Sequence, residues 1–205
     1  MDHLILNFDR AVRTLSGAAT ARRANPAFGA AAGALTDAER SLAVGLMRVN
    51  HAGEVAAQAL YQGQALVSRS PGLREKLDQA ADEELDHLAW TRERIHDLGG
   101  RTSLLDPLWY AGAFAIGVVA GALSDETSLG FLQATEEQVE AHLASHLDEL
   151  PAADTASRAI VEQMKQDEAS HAQTARTLGA RPLPLPVQAA MKLSSRVMTS
   201  LAAKI

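Results

Sequence analysis

The chain has 205 residues, a formal net charge of −6 and no cysteine. This length allows one domain with a substantial core, and the lack of cysteine excludes disulfides, thiolate catalysis and zinc fingers. The sequence contains no basic block of the kind that predicts a nucleic-acid partner. Aromatic residues make up only 4% of the chain, which favours close-packed helices over a β-sheet. Any metal must therefore be bound by His, Asp or Glu, a donor set that suits iron, manganese or zinc.

The N-terminal residues predict an amphipathic helix. Leu4, Phe8, Val12 and Leu15 fall on one helical face. This face is expected to lie either on the protein core or on a membrane surface, and the sequence favours neither alternative. The acids near the N-terminus do not match a secretory signal peptide. Residues 16–35 are rich in Ala and Gly and predict a loose connector.

Two long helices follow, and particular residues mark their ends. Thr36 and Glu39 form a capping-box pattern, which predicts the start of a helix that ends before the sequence Ser-Pro-Gly. Pro71 suits the first turn of the second helix. That helix is predicted to end at Leu98, because the following Gly99 can terminate it.

An uncharged run at 107–123, "PLWYAGAFAIGVVAGAL", predicts a crossover helix. Because about 20 apolar residues are needed to cross a bilayer, we expect a helix that is buried on all sides or lies in a membrane interface, rather than a full span. Two further helices are predicted over 124–150 and 154–178, separated by Pro151. After three prolines, the tail from residue 187 predicts an amphipathic helix with basic side chains.

The second long helix pair repeats the pattern of the first. Glu84 and His87 lie three residues apart, as do Glu168 and His171, and both stretches end in Leu-Gly-x-Arg. An apolar helix follows each of these endings. The repeat is weak in identity but ordered, which indicates an internal duplication. We therefore predict an all-α fold, a single domain over residues 1–205, in which two duplicated helix pairs form a four-helix bundle with a hydrophobic crossover helix and terminal amphipathic helices.

The repeated Glu-x-x-His pattern predicts a metal centre. It places both side chains on one helical face, where they can bind one ion together. One such pair is a weak signal, but two copies in matching context are a strong one. Di-iron and di-manganese bundles combine two such pairs with one Glu from each of two other helices. On the first long helix we select Glu54, which lies mid-helix among small and apolar residues, 30 residues before Glu84.

The helix over 124–150 offers three glutamates, Glu136, Glu137 and Glu140. The same 30-residue offset, taken back from Glu168, falls next to Glu137, so Glu136 and Glu137 are the nearest acids. Glu136 also lies seven residues before Leu143, near the predicted buried face. We select Glu136 as the ligand, and Glu137 remains the alternative.

Charge balance favours two metal ions. Four clustered carboxylates carry four negative charges, which two divalent ions neutralise, and two neutral imidazoles leave coordination positions open for catalysis. Symmetry predicts that each ion has one Glu and one His as terminal ligands. The glutamates of the two Glu-x-x-His pairs would then bridge both ions. The predicted ligands are Glu54 and His87 for one ion, Glu136 and His171 for the other, and Glu84 and Glu168 for both.

Five other polar residues are candidates for supporting roles. Glu83 and Asp167 each precede a predicted ligand His by four residues, and such acids often accept a hydrogen bond from the second ring nitrogen. We expect this role for Asp167 and a surface position for Glu83. His51 and His142 are expected beside the centre or at the surface rather than as ligands. Tyr61 is expected in core packing, with a place beside the metal as the alternative.

The motifs around these residues resemble the demethoxyubiquinone hydroxylase (3-demethoxyubiquinol 3-hydroxylase) family in its proteobacterial form. They are, in order, "RVNHAGE", "YQGQAL", "EELDHL", "TEEQVEAHL" and "DEASH", and the resemblance extends from about Glu39 to the end of the chain. It implies a ferritin-like bundle with a carboxylate-bridged di-iron centre, two iron ions per chain and the same six ligands. It also implies a di-iron monooxygenase that uses O₂ to hydroxylate the ring of a polyprenylated demethoxyubiquinol in ubiquinone biosynthesis.

The resemblance further implies peripheral attachment to the cytoplasmic face of the inner membrane. Because the quinol is insoluble, we expect 107–123 and the basic tail to form the membrane-facing side of a channel, with core packing as the alternative. The implied partners are the polyprenyl quinone or quinol and O₂, and partners among other ubiquinone-biosynthesis proteins stay open. One departure concerns the helix over 124–150, where short family forms carry a His followed by Tyr. Here His142 is followed by Leu143.

Two rival functions fit the same ligands in part. An iron-storage or peroxide-reducing protein of the ferritin type would share the ligands, but the apolar run at 107–123 argues against the soluble surface of a storage cage. A non-catalytic membrane-associated scaffold would leave the carboxylates as solvated charges. Metal content and the lipid composition of a deletion strain separate the three functions.

Overall fold

The computed structural model describes residues 2–30 and 33–205. The side chain of Leu4 and residues 31 and 32 of the predicted connector lie outside this description. Across the described residues the regular structure consists of seven helices and no strand, which confirms the all-α prediction. The helices are α1 (Asp2–Ser16), α2 (Asp37–Val67), α3 (Pro71–Asp97), α4 (Asp106–Leu123), α5 (Asp125–Glu149), α6 (Thr155–Thr177) and α7 (Leu185–Ala202).

The helix ends follow the predicted capping residues. The Thr36 side chain accepts a hydrogen bond from the backbone N–H of Glu39, while the Glu39 carboxylate accepts one from the Thr36 N–H at 2.9 Å. Gly99 after α3 and Gly179 after α6 both adopt positive φ, 77° and 96°. Because a left-handed residue at this position is easiest for glycine, the repeated Leu-Gly sequence ends both helices in the same way.

Helices α2, α3, α5 and α6 pack as a four-helix bundle whose core has three levels. Two apolar clusters lie at opposite ends of the bundle, and each helix contributes to both of them. Between the clusters every helix carries buried Glu or His side chains instead. One cluster centres on Met47, Trp90, Leu143 and Met164, and the other on Leu60, Leu77, Leu132 and Ala175. The candidate metal ligands form the polar level between them.

Helix α4 crosses from one helix pair to the other and packs closely against α2. A side chain at Gly63 or Gly117 would collide with a backbone carbonyl of the facing helix, so glycine permits this approach. Of the two alternatives for α4, burial on all sides is wrong, since only 22% of the helix is buried. Leu108, Val119 and Leu123 are among its exposed side chains. Within the described chain, α4 is the one helix long and apolar enough to cross a membrane, which by itself is weak support for a span.

The structure decides two expectations for the N-terminal segment. Phe8, Val12 and Leu15 of α1 are exposed, so the alternative in which this face lies on the core is wrong. The residues after α1 are not a loose connector, because Arg22 and Arg23 form ion pairs with aspartates of α3. Helix α7 lies against α2 and keeps its basic side chains exposed.

Candidate metal centre

The structure brings the six predicted ligands together at the middle level of the bundle. They form two groups of four, and within each group the ligand atoms lie within 4.8 Å of one another. Glu84 and Glu168 belong to both groups, which is the arrangement expected of bridging carboxylates. The first group adds Glu54 and His87, and the second adds Glu136 and His171.

Both imidazole rings present Nδ1 to the carboxylates. His87 Nδ1 lies 3.1 Å from Glu84 and 3.2 Å from Glu168. His171 Nδ1 lies 3.4 Å from Glu168 and 3.5 Å from Glu136. In each ring Nδ1 is therefore the nitrogen available to a metal ion, provided that Nε2 carries the proton.

The outer nitrogen of each ring bonds an acid from the opposite helix pair. His87 Nε2 lies 3.0 Å from Asp167 Oδ2, and His171 Nε2 lies 2.7 Å from Glu83 Oε2. We expected Asp167 to support His171, four residues later, and that pairing is wrong, because Asp167 bonds His87. Since Nδ1 points to the bundle centre, Nε2 points across the contact between α3 and α6. Glu83 consequently has the supporting role that the sequence favoured only for Asp167.

The donor set fits metal ions because many buried oxygens lack hydrogen-bond partners. Both oxygens of Glu54 and of Glu168 are of this kind, as are Glu84 Oε1 and Glu136 Oε2. Buried polar atoms without partners are costly, and buried carboxylates are normally paired or bound to a cation. Oxygen-rich sites with imidazole suit iron or manganese, and two divalent ions would balance the four carboxylates.

The same crowding changes the acid–base behaviour of the cluster. Burial, assisted by the charge of Glu84, raises the pKa of Glu54 well above its usual value. Burial, assisted by Glu168, raises the pKa of Glu136 to about 8. Burial alone would lower the pKa of both histidines, but Glu84 beside His87 and Glu136 beside His171 outweigh it and raise both values. The cluster therefore favours positive charge at its centre, as protons or as metal ions.

Glu136 and Glu137 occupy different environments. Glu136 is fully buried in the cluster, where the Tyr61 hydroxyl donates a hydrogen bond to its Oε1. Glu137 points outward, and its side chain, 40% exposed, pairs with Arg176. Tyr61 is also fully buried, so it combines core packing with a place beside the candidate ligands. Glu140 belongs to neither ligand group.

The two remaining histidine candidates lie outside both ligand groups. His51 is buried, and its Nδ1 lies 3.0 Å from Thr91 Oγ1, which in turn donates to the backbone carbonyl of His87. His142 lies beside His146, with 4.0 Å between the ring centroids. Burial lowers the pKa of His51 to about 3, so it is neutral at physiological pH.

An apolar cavity of about 710 Å³ reaches the cluster at Glu54. It lies among α2, α4, α5 and α7, and its volume is in the range of small-molecule sites. Gly53 and Ala57 line it beside Glu54, and no atom would contact a Cβ at Gly53. The apolar walls include Leu60, Leu108, Trp109, Ile116, Phe131 and Met198.

Comparison with known proteins identifies the family. The model of the family described as "Ubiquinone biosynthesis protein COQ7" matches residues 41–202. This chain belongs to the COQ7 family. It is similar to the 3-demethoxyubiquinol 3-hydroxylase of Variovorax paradoxus, with 58% identity over all of this chain and 98% of that protein. It is also similar to those of Chromobacterium violaceum (59% identity, 97% of each chain) and Ralstonia pickettii (55% identity, the full length of both).

One neighbour of the centre in this COQ7-family chain was missed at the level of sequence. Arg23 bonds Asp86 and Asp167 and lies over the ring of Trp90. A signal for its neighbourhood existed, because Asp78, Asp82 and Asp86 repeat every four residues along α3 and so share one face. Nothing in the sequence indicates which arginines meet that face.

Proposed function

We propose that this chain uses O₂ to hydroxylate the ring of a polyprenylated demethoxyubiquinol, with two iron ions bound at the six-residue cluster. The observation that carries the proposal is a buried carboxylate–histidine cluster that adjoins a large apolar cavity at Glu54. The names of the curated relatives supply the reaction and the substrate class. Iron storage and a non-catalytic scaffold lose support, because those relatives are hydroxylases.

The chain's own residues hold the ions and orient the ligands. Glu54 and His87 would bind one ion, Glu136 and His171 the other, and the shared glutamates would bind both. Two bound irons, once reduced by an external donor of two electrons, would supply the redox chemistry that O₂ activation requires. Asp167 and Glu83 accept hydrogen bonds from the Nε2–H groups of His87 and His171 and so orient both rings. Apolar walls beside Glu54 keep water from the reacting ring.

We propose peripheral attachment at the cytoplasmic face of the inner membrane, with α4 and α7 against the lipid. Both helices line the cavity and also carry exposed apolar side chains, which are Leu108 and Val119 on α4 and Leu193 and Val197 on α7. Exposed basic side chains on α7 suit anionic lipid headgroups. In flotation assays with anionic liposomes, changing Leu108, Val119 and Leu193 to Ser is expected to abolish binding. A wild-type protein that stays unbound would refute this attachment.

A Gly53→Leu substitution tests the link between cavity and chemistry. No protein atom lies within 4 Å of a Cβ at Gly53, which lines the cavity beside Glu54, so the added side chain is expected to extend into the end of the cavity. In a deletion strain, the variant is expected to leave demethoxyubiquinone accumulated, whereas wild type restores ubiquinone. The purified variant is expected to keep two irons per chain and a melting temperature no lower than that of wild type, because leucine has a higher helix propensity than glycine.

Gly72→Leu is the matched control. Gly72 is also a helical glycine with open space around it, but it lies in the first turn of α3 and away from the cavity. This variant is expected to restore ubiquinone fully. Normal ubiquinone levels with Gly53→Leu would show that the substrate does not use this cavity. A wild-type protein without iron would refute the metal centre itself.

A further inference from the structure

Ion pairs hold the segment before α2 against the outer face of α3. Residues 2–30, here called the N-terminal latch, contribute three arginines that meet a row of three aspartates. Arg22 Nη1 lies 3.0 Å from Asp82, and the Arg22 backbone N–H donates to Asp86 at 2.6 Å. The ion pairs are Arg10 with Asp78 and Asp82, Arg22 with Asp82, and Arg23 with Asp86.

Arg23 extends this contact to the supports of the metal centre. Its Nε donates to Asp86 Oδ2 at 2.7 Å, and its Nη1 donates to Asp167 Oδ2 at 2.8 Å. The same Asp167 oxygen accepts the hydrogen bond from His87 Nε2 at 3.0 Å. One guanidinium therefore joins α3 to α6 directly behind His87, in the two-pronged geometry that arginine favours.

Packing adds a second connection between Arg23 and His87. The Arg23 guanidinium lies 4.8 Å from the ring centroid of Trp90, a distance typical of a cation–π contact. Trp90 is buried, and its ring lies 5.5 Å from the ring of His87. Asp167 and Trp90 thus both contact His87, and Arg23 contacts both of them.

The other half of the cluster has no comparable support. Glu83, which bonds His171, accepts a further hydrogen bond from Gln79. Among the ion pairs of the described residues, no arginine bonds Glu83, and its side chain is 36% exposed against 15% for Asp167. An exposed acid with a neutral neighbour constrains its histidine less than a clamped one does.

We propose that Arg23 is a positioning residue that fixes Asp167 and, through it, His87, so that the metal position at Glu54 and His87 is the tighter of the two. This inference rests on the proposed two-metal centre. It makes docking of the N-terminal latch and metal binding mutually dependent, since an arginine that favours the bound geometry is itself held more firmly once the ion is present. The latch lies before residue 41, where the family match begins.

The test is an anaerobic titration of the metal-free full chain with Fe(II). Wild type is expected to bind two ions with separable affinities. Arg23→Gln is expected to weaken the tighter site by roughly 10–100-fold, the usual effect of losing an outer partner of a ligand, and to leave the other unchanged. In ⁵⁷Fe Mössbauer spectra of the loaded protein, one of the two ferrous signals is expected to change and the other to persist.

Two variants serve as controls. Arg22→Gln removes a neighbouring latch arginine whose side chain is 72% exposed and bonds only Asp82 among the acids, and it is expected to keep both affinities. Arg23→Lys keeps the positive charge and is expected to recover part of the loss. The recovery is incomplete because a single ammonium group cannot bridge Asp86 and Asp167 as a guanidinium does.

Several results would overturn the proposal. Unchanged affinities in Arg23→Gln would do so, as would equal weakening of both sites or an effect matched by Arg22→Gln. If Arg23→Gln does not fold, Asp86→Asn removes the anchor of Arg23 on α3 while leaving Asp167 and His87 in place. Its tighter site must then weaken selectively, or the proposal is wrong. A wild-type chain that binds no iron would instead refute the proposed function.

Discussion

The two halves of the cluster carry the same ligand pattern in different surroundings. His87 is fully buried, and the acid behind it is clamped by an arginine. The His171 side chain is 11% exposed, and the acid behind it is Glu83, whose side chain is 36% exposed. An internal duplication thus supplies two similar sets of ligands, and the contacts around them make the sets unequal.

A second difference lies on the inner side of the cluster. Glu54 borders the apolar cavity and has no hydrogen-bond partner for either oxygen. Glu136 has no such opening and accepts a hydrogen bond from Tyr61. The half with the firmer outer support is therefore also the half that a substrate in the cavity would meet.

Substitution of the shared carboxylates is expected to have the largest effect, because it should affect both halves of the cluster. Because Glu84 and Glu168 belong to both ligand groups, Glu84→Ala or Glu168→Ala is expected to remove both irons and all hydroxylase activity. Glu54→Ala is expected to remove only one iron. Metal analysis of purified protein checks the counts. Glu137→Gln is the control and should retain both irons, whereas one retained iron in Glu84→Ala would contradict a bridging role.

Substitution of the acids that bond the two histidines is expected to have an effect of intermediate size on iron binding. Asp167→Asn is expected to lower iron affinity at the position of His87 by roughly 10–100-fold. Glu83→Gln is expected to have a smaller effect on the position of His171, because its carboxylate is more exposed and solvent screens it. Fe(II) titration of both variants provides the measurement. Equal losses would show that the two halves are supported alike.

The smallest expected effect concerns Asp106, a buried acid near His51, and the pH dependence of the melting temperature. Burial raises the pKa of Asp106, 3.8 Å from His51, from 3.8 to about 7. The fold favours the protonated form, so this stabilisation is fully present below pH 3.8 and is lost as the pH rises through about 7. Asp106→Asn is therefore expected to raise the melting temperature of the metal-free protein at pH 8 relative to wild type. We expect about 2–4 °C for each ~1 kcal/mol.

The control for this pH dependence is Asp37→Asn. Asp37 occupies the first turn of α2 as Asp106 occupies that of α4, but it is exposed. Its substitution is expected to shift the melting temperature equally at pH 5 and pH 8. If Asp106→Asn also shows no difference between these two pH values, Asp106 is ionised throughout and the burial argument fails.

Local patterns explain why so much of the fold and the candidate site was predictable. Capping residues such as Thr36 and glycine endings such as Gly99 act within a few residues, so their signals survive in one sequence. The Glu-x-x-His pairs were found because helix geometry alone places residues three apart on one face. The duplication narrowed the choice to Glu136 and Glu137. The seven-residue spacing to Leu143 then favoured Glu136, which lies in the cluster, whereas the Glu137 side chain is 40% exposed.

The remaining features depend on how separate helices meet. Whether Glu83 bonds His87 or His171 is decided by the direction of each ring relative to the contact between α3 and α6, which no spacing encodes. The position of Arg23 depends on how a segment without regular structure crosses α3. Helix α4 appeared suited to burial because it is apolar on all sides, yet only its glycine-bearing face contacts α2.

The close contact between α2 and α4 makes the two sides of the cavity mechanically unequal. Where Gly63 and Gly117 bring backbone against backbone, the wall cannot yield without separating two helices. On the other side lies α7, in which Ala202 is the only buried residue. We therefore expect a large ligand to be accommodated by displacement of α7 rather than by separation of α2 and α4.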